Sequence, residues 1–201
     1  MMRWWPPIGL AAMMLLGGVV GDGSTAVDDW FQRLGARMGQ YRGDFLVFSY
    51  PPLVALVLLG VLVAVARRRQ WWLMVAVAAS PPLAIVVVQV CKRMFGREKG
   101  GSLAYPSGHT TFLVVVMGLL VVAAGAAAWS LIAAVSVSLL GMFGQSVTYH
   151  YFTDTVGATL LATAMVCVVA LVARDVAGSA SETSLSADPA SPTVDSETNQ
   201  T

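Results

Sequence analysis

Apolar runs of near membrane-spanning length recur along the chain as far as residue 174, and this property decides what it can fold into. A helix needs about 20 apolar residues to cross a bilayer. The 201 residues are 57% hydrophobic and 11% charged, whereas a soluble domain carries about 25% charge. That excludes an intrinsically disordered protein and argues against a soluble globular enzyme. The net charge of +1 excludes a generally basic nucleic-acid binder. Cys91 and Cys167 both lie in apolar runs, so neither a disulfide framework nor a Cys-based metal site is expected.

The runs predict an all-α membrane bundle of six transmembrane helices. The first, Ile8 to Val20, has 13 residues and reaches spanning length only with Trp4 and Trp5 as interfacial anchors. Its length also suits a signal-peptide core, with Ser24 and Ala26 resembling a cleavage site; a retained helix is the favoured reading. The other spans are Phe45 to Ala66, Trp71 to Cys91 (kinked or broken at Pro81-Pro82), Gly108 to Ala124, Trp129 to Val147, and Val156 to Ala173. Between the first two, Val27, Trp30, Phe31, Leu34 and Met38 form a helical stripe, with Asp28, Asp29, Arg33 and Arg37 elsewhere on the surface. This predicts a short helix lying in the membrane interface or packed on the protein's own outer face.

Residues 1–174 therefore read as one membrane domain. Residues 175–201 hold ten Ser/Thr and five acidic residues but no basic one, and are expected to be a disordered cytoplasmic tail. Six spans put both termini on one side, which Arg67-Arg68-Arg69 with Arg3 and Arg174 marks as cytoplasmic. The raw tally opposes this, with five Lys/Arg on that side and seven on the other. Four of the seven, Lys92, Arg93, Arg97 and Lys99, crowd one short loop, which suggests a local task.

That loop continues through Gly100-Gly101 to Pro106-Ser107-Gly108-His109. Cations beside a Gly-rich turn and a helix start that Ser107 can cap make an anion site; snorkelling cations and an ordinary cap are the alternative. The second cluster is His150-Tyr151-Phe152-Thr153-Asp154. If helical, its i, i+4 spacing lets Asp154 hold His150 in one tautomer; an aromatic belt with an incidental histidine is the alternative. The 41 residues from His109 to His150 suit one helix down and one back, so the chain's only two histidines reach one membrane face. Two histidines, a carboxylate and a cation cluster are what phosphoester hydrolysis requires.

At these residues the chain resembles the type 2 phosphatidic acid phosphatase superfamily of membrane lipid phosphatases. The family's signature is K-x6-R-P, P-S-G-H and S-R-x5-H-x3-D. Residues 106–109 match the middle motif completely, an event of about one in a thousand by chance in a chain of this length. His150 and Asp154 match H-x3-D, and Lys92 matches the first lysine. Lys99-Gly100 stands in place of R-P, and Phe143-Gly144 in place of S-R. The resemblance implies His150 as nucleophile through a phosphohistidine, Asp154 orienting it, and His109 as general acid. It implies a phosphate cradle of Lys92, Arg97, Lys99, Ser107 and Gly108, and no metal or other cofactor. The implied partner is a membrane lipid phosphate, with polyprenyl diphosphate favoured over phosphatidylglycerophosphate, phosphatidate or a phosphorylated glycolipid precursor. The site would face outward from the plasma membrane. A homo-oligomer remains open, and so does a non-hydrolytic lipid-phosphate binder or transporter.

Overall fold

The computed structural model describes residues 2–186. It is an all-α bundle whose helices are α1 (Trp5–Val20), α2 (Ala26–Met38), α3 (Pro51–Arg67), α4 (Trp71–Phe95), α5 (Gly108–Ala123), α6 (Ala128–Val147) and α7 (Phe152–Ser186). A 3-10 segment, Gly39–Ser49, joins α2 to α3, and a two-stranded hairpin, β1 (Glu98–Lys99) and β2 (Ser102–Leu103), joins α4 to α5. Among the described residues, four helical stretches are long and apolar enough to cross a membrane: the one ending at Arg67, α4, α6, and Phe152–Asp175 of α7; α1 and α5 are shorter apolar helices. This is the architecture of a multi-pass membrane protein.

The apolar residues sort into two populations. Leu113, Val115, Val116 and Leu119 bury α5 between its neighbours, and Val61, Val65, Val77 and Ala84 pack with it. By contrast Leu56 and Leu59 of α3, Val86 of α4, and Ile132 and Leu139 of α6 point outward. A helix that is apolar all round and enclosed needs no polar face, whereas the outer helices present theirs to lipid. α1 packs along α7.

Several boundaries differ from expectation. The second span starts at Pro51, because Pro51-Pro52 fills the first helical positions, where a missing N–H is tolerated. Phe45 instead belongs to the 3-10 segment. The third span runs through Pro81 and Pro82 without interruption and continues past Cys91 to Phe95, where Gly96 in the left-handed region ends it. The last helix does not stop at Arg174 but reaches Ser186; the first proline after it is Pro189. The rest of the expected tail, 187–201, lies outside the described residues.

Both ends of the bundle carry cations. Arg67–Arg69 turns the chain between α3 and α4, and Arg68 donates to the Ala123 carbonyl at the C-terminus of α5, 2.8 Å away. The hairpin and the start of α5 therefore occupy the opposite end.

Candidate active site

Gly100 and Gly101 are the two central residues of the hairpin turn, both with positive φ, the conformation that a two-residue turn matched to strand twist requires. The turn folds the cationic loop over the start of α5. Lys92 Nζ, near the end of α4, donates to the Leu103 carbonyl (2.6 Å), and Lys99 Nζ donates to the His150 carbonyl (2.8 Å). Beneath lies a cavity of about 940 Å³. Lys92, Lys99, Gly108, His109 and His150 line its polar part, and Ala55, Ile85, Val88 and Phe112 its apolar part. The two histidines, 41 positions apart, thus meet at one end of the bundle.

Burial holds the Lys99 ammonium down to about 8; Arg97 adds to that shift, and Asp154 and Asp28 oppose it. Lys99 also sits 4.7 Å from the centre of the Tyr151 ring. The ammonium is therefore easier to deprotonate than that of an ordinary lysine.

Three other expected residues have different surroundings. Ser107 is fully buried and outside the cavity lining; its hydroxyl accepts from Thr110 N at 3.4 Å and caps α5. Arg93 is exposed and does not line the cavity. Arg97, expected in the phosphate cradle, is 1% exposed and makes five hydrogen bonds to protein acceptors. Nε and Nη2 donate to the Gly23 carbonyl (3.2 and 2.7 Å), Nη2 to Asp28 (3.0 Å), and Nη1 to Thr153 Oγ1 and Asp154 Oδ1 (both 2.7 Å). A guanidinium has five N–H donors, so none is left for a ligand.

Asp154 and His150 come together, but not as i, i+4 partners on a helix, because His150 precedes the first residue of α7. Asp154 Oδ2 accepts from Tyr151 N at 3.0 Å and stands 3.5 Å from His150 Nδ1. That nitrogen is buried without a hydrogen-bond partner. A shift of about half an ångström would close the contact into a hydrogen bond. With Nδ1 turned to Asp154, Nε2 is the nitrogen available to the cavity.

Asp28 is a site-region residue that sequence reasoning placed on the exposed surface. It is fully buried, bonded to Arg97 and accepting from Thr153 N (2.9 Å) and the Thr153 hydroxyl (2.9 Å to the nearer oxygen). The signal was the spacing Thr25-x-x-Asp28, which forms a capping box at the start of α2. The packed face of α2 is accordingly rotated from the apolar stripe: Asp28, Gln32 and Gly35 turn inward, and Val27 and Trp30 stay about half exposed.

Position 144, where the family signature carries arginine, is closed by backbone. A Cβ on Gly144 would lie 2.7 Å from both the carbonyl carbon and oxygen of Phe45. The 3-10 segment covers α6 there, leaving no room for a guanidinium. Among the described residues no group of three or more His, Cys, Asp or Glu side chains is placed to hold a metal ion. Compared with protein-family models, curated proteins and solved structures, the chain finds no significant match in any of the three.

Proposed function

We propose that this protein is a membrane lipid phosphatase, a divergent relative of the type 2 phosphatidic acid phosphatases, acting at headgroup depth. The observation that carries the reading is the shared cavity: Lys92, Lys99, His109 and His150 line its polar part above apolar walls. Two ammonium groups and the start of α5 suit a phosphate or diphosphate. The apolar part suits the first segment of a lipid tail, which favours polyprenyl diphosphate; a glycerolipid phosphate satisfies the same chemistry. With the arginine turn at the opposite end read as cytoplasmic, the site would face outward.

In this mechanism His150 Nε2 attacks phosphorus, the bond to the leaving oxygen breaks, and His109 protonates that oxygen. Asp154 stabilises the Nδ1 proton as charge develops on the imidazole. Water, deprotonated by His109, then attacks the phosphohistidine, releasing phosphate and restoring His150. The lysines neutralise charge on the non-bridging oxygens.

The test is phosphate release from detergent-dispersed lipid phosphates, with trapping of acid-labile phosphate on the protein. His150→Ala is expected to abolish both. His109→Ala should lose about a hundredfold or more on a lipid-alcohol leaving group and recover part of that with a phenolic one. Inhibition by a chelator, reversed by zinc, would replace the phosphohistidine with a metal-bound hydroxide. The closed position at Gly144 favours a second reading, a lipid-phosphate binder that does not hydrolyse. Saturable binding with no release of phosphate would support it.

A further inference from the structure

The cluster beneath the hairpin gathers parts from distant segments. Asp28 comes from α2, Arg97 from the loop after α4, and Thr153 and Asp154 from the first turn of α7. Arg97 lies between two carboxylates, and the Thr153 hydroxyl accepts from Arg97 (2.7 Å) and donates to Asp28 (2.9 Å). Asp28, Arg97 and Asp154 are each at most 1% exposed. The far carboxylate, Asp154, is 3.5 Å from His150 Nδ1.

A single Arg–Asp154 pair would be neutral and would draw the Asp154 charge toward the guanidinium. The second carboxylate changes both features: the group carries a net charge of −1, and Asp28 holds Arg97 by Nη2, the nitrogen that does not bond Asp154. What reaches Nδ1 is then a carboxylate whose charge is only partly compensated, in surroundings where charges are weakly screened. That favours the Nδ1–H tautomer, the one that frees Nε2 to attack.

We propose that Asp28 is a positioning residue for His150, acting through Arg97 and Asp154, so that the short helix α2 sets the chemistry of a site it does not line. This rests on the phosphatase reading only for its kinetic consequences; the tautomer it predicts does not. The charged or titratable groups around His150 are Asp154 on α7, the adjoining Tyr149 and Tyr151, Arg97 and Lys99 on the hairpin segment, Lys92 on α4 and His109 on α5, with Asp28 bonded to Arg97; α2 also touches His150 directly, where Gln32 donates to its carbonyl (3.1 Å).

The experiment is Asp28→Asn in the full-length protein, which keeps the shape and removes the charge. With only two histidines in the chain, nitrogen NMR of histidine-labelled protein resolves His150 once His109→Ala assigns the other. The Nδ1–H population of His150 should fall. In turnover, kcat should drop about tenfold with KM within about twofold, and the acid limb of kcat/KM should move to lower pH. Local damage alone would reduce activity without moving that limb. An unchanged His150 nitrogen spectrum in folded Asp28→Asn overturns the proposal, whether or not the protein hydrolyses phosphate. A shifted spectrum with no turnover on any lipid phosphate would uphold it and overturn the phosphatase reading. Where Asp28→Asn does not fold, Asp28→Ser removes the same charge from Arg97 with a smaller side chain and should give the same change of spectrum; no change would count equally against the proposal.

Discussion

Replacing Arg97 by lysine separates its two roles, ligand to phosphate or internal clamp. The guanidinium uses five N–H donors on acceptors from three parts of the chain, two of them carboxylates. An ammonium has three donors on one atom and cannot reach both the Gly23 carbonyl and Asp154. At least two hydrogen bonds are lost, and a buried charged or carbonyl acceptor is left unsatisfied. Hydrogen bonds to charged groups contribute about 1.5–3 kcal/mol each, so Arg97→Lys should cost about 3–6 kcal/mol although charge is conserved. At about 2–4 °C per kcal/mol for a chain of this size, Tm should fall by roughly 6–24 °C. The assay is thermal unfolding in detergent, beside phosphate binding measured well below the lowered Tm. A phosphate-binding Arg97 would give the opposite pattern: Tm within about 1 °C of the parent and weakened phosphate binding, because lysine keeps the charge but loses bidentate recognition. That outcome would refute the clamp.

The Lys99 ammonium, held down to about 8, predicts an alkaline limb in kcat/KM near that pH, since the free enzyme's groups govern this parameter. Lys99→Arg should remove the limb, and its persistence would assign it elsewhere. Because the folded value lies below the unfolded one, Lys99 makes stability rise with pH between about 8 and 10.4; Lys99→Arg should flatten that rise in thermal unfolding. At Gly144, alanine should destabilise by about 1–3 kcal/mol, because its Cβ meets immovable Phe45 backbone. Gly144→Arg, which writes the family's arginine back, should lose more stability and gain no turnover; increased phosphate release would show that the 3-10 segment yields.

The histidine pairing was legible in the sequence because it depends on lengths alone. Two apolar helices and a turn bring His150 back to the face of His109 whatever packs around them. Ser107 as a helix cap and Gly100-Gly101 as a tight turn were equally local, since backbone chemistry within four residues decides them. Asp28 was read as surface because α2 follows an amphipathic stripe, and a stripe identifies the apolar face without saying what faces it. Once Arg97 is folded under the hairpin, a buried cation needs counter-charges, and α2 rotates Asp28 inward at the expense of exposing Val27 and Trp30.

What the sequence determined by itself is a bundle of apolar helices with a cationic, histidine-bearing end, for the bilayer imposes a length and polarity rule that four of the described helical stretches meet alone. Only the tertiary structure decided which cations face the cavity. Arg97 and Lys99 are two positions apart in one loop, yet one is enclosed by two carboxylates and the other lines the cavity beside His150. Their separation depends on Asp28 and Asp154, which lie 69 and 57 positions from Arg97, and on the hairpin that brings the three together. Motif spacing treats neighbouring cations as equivalent; the energy of a buried charge, set by the partners the fold supplies, does not.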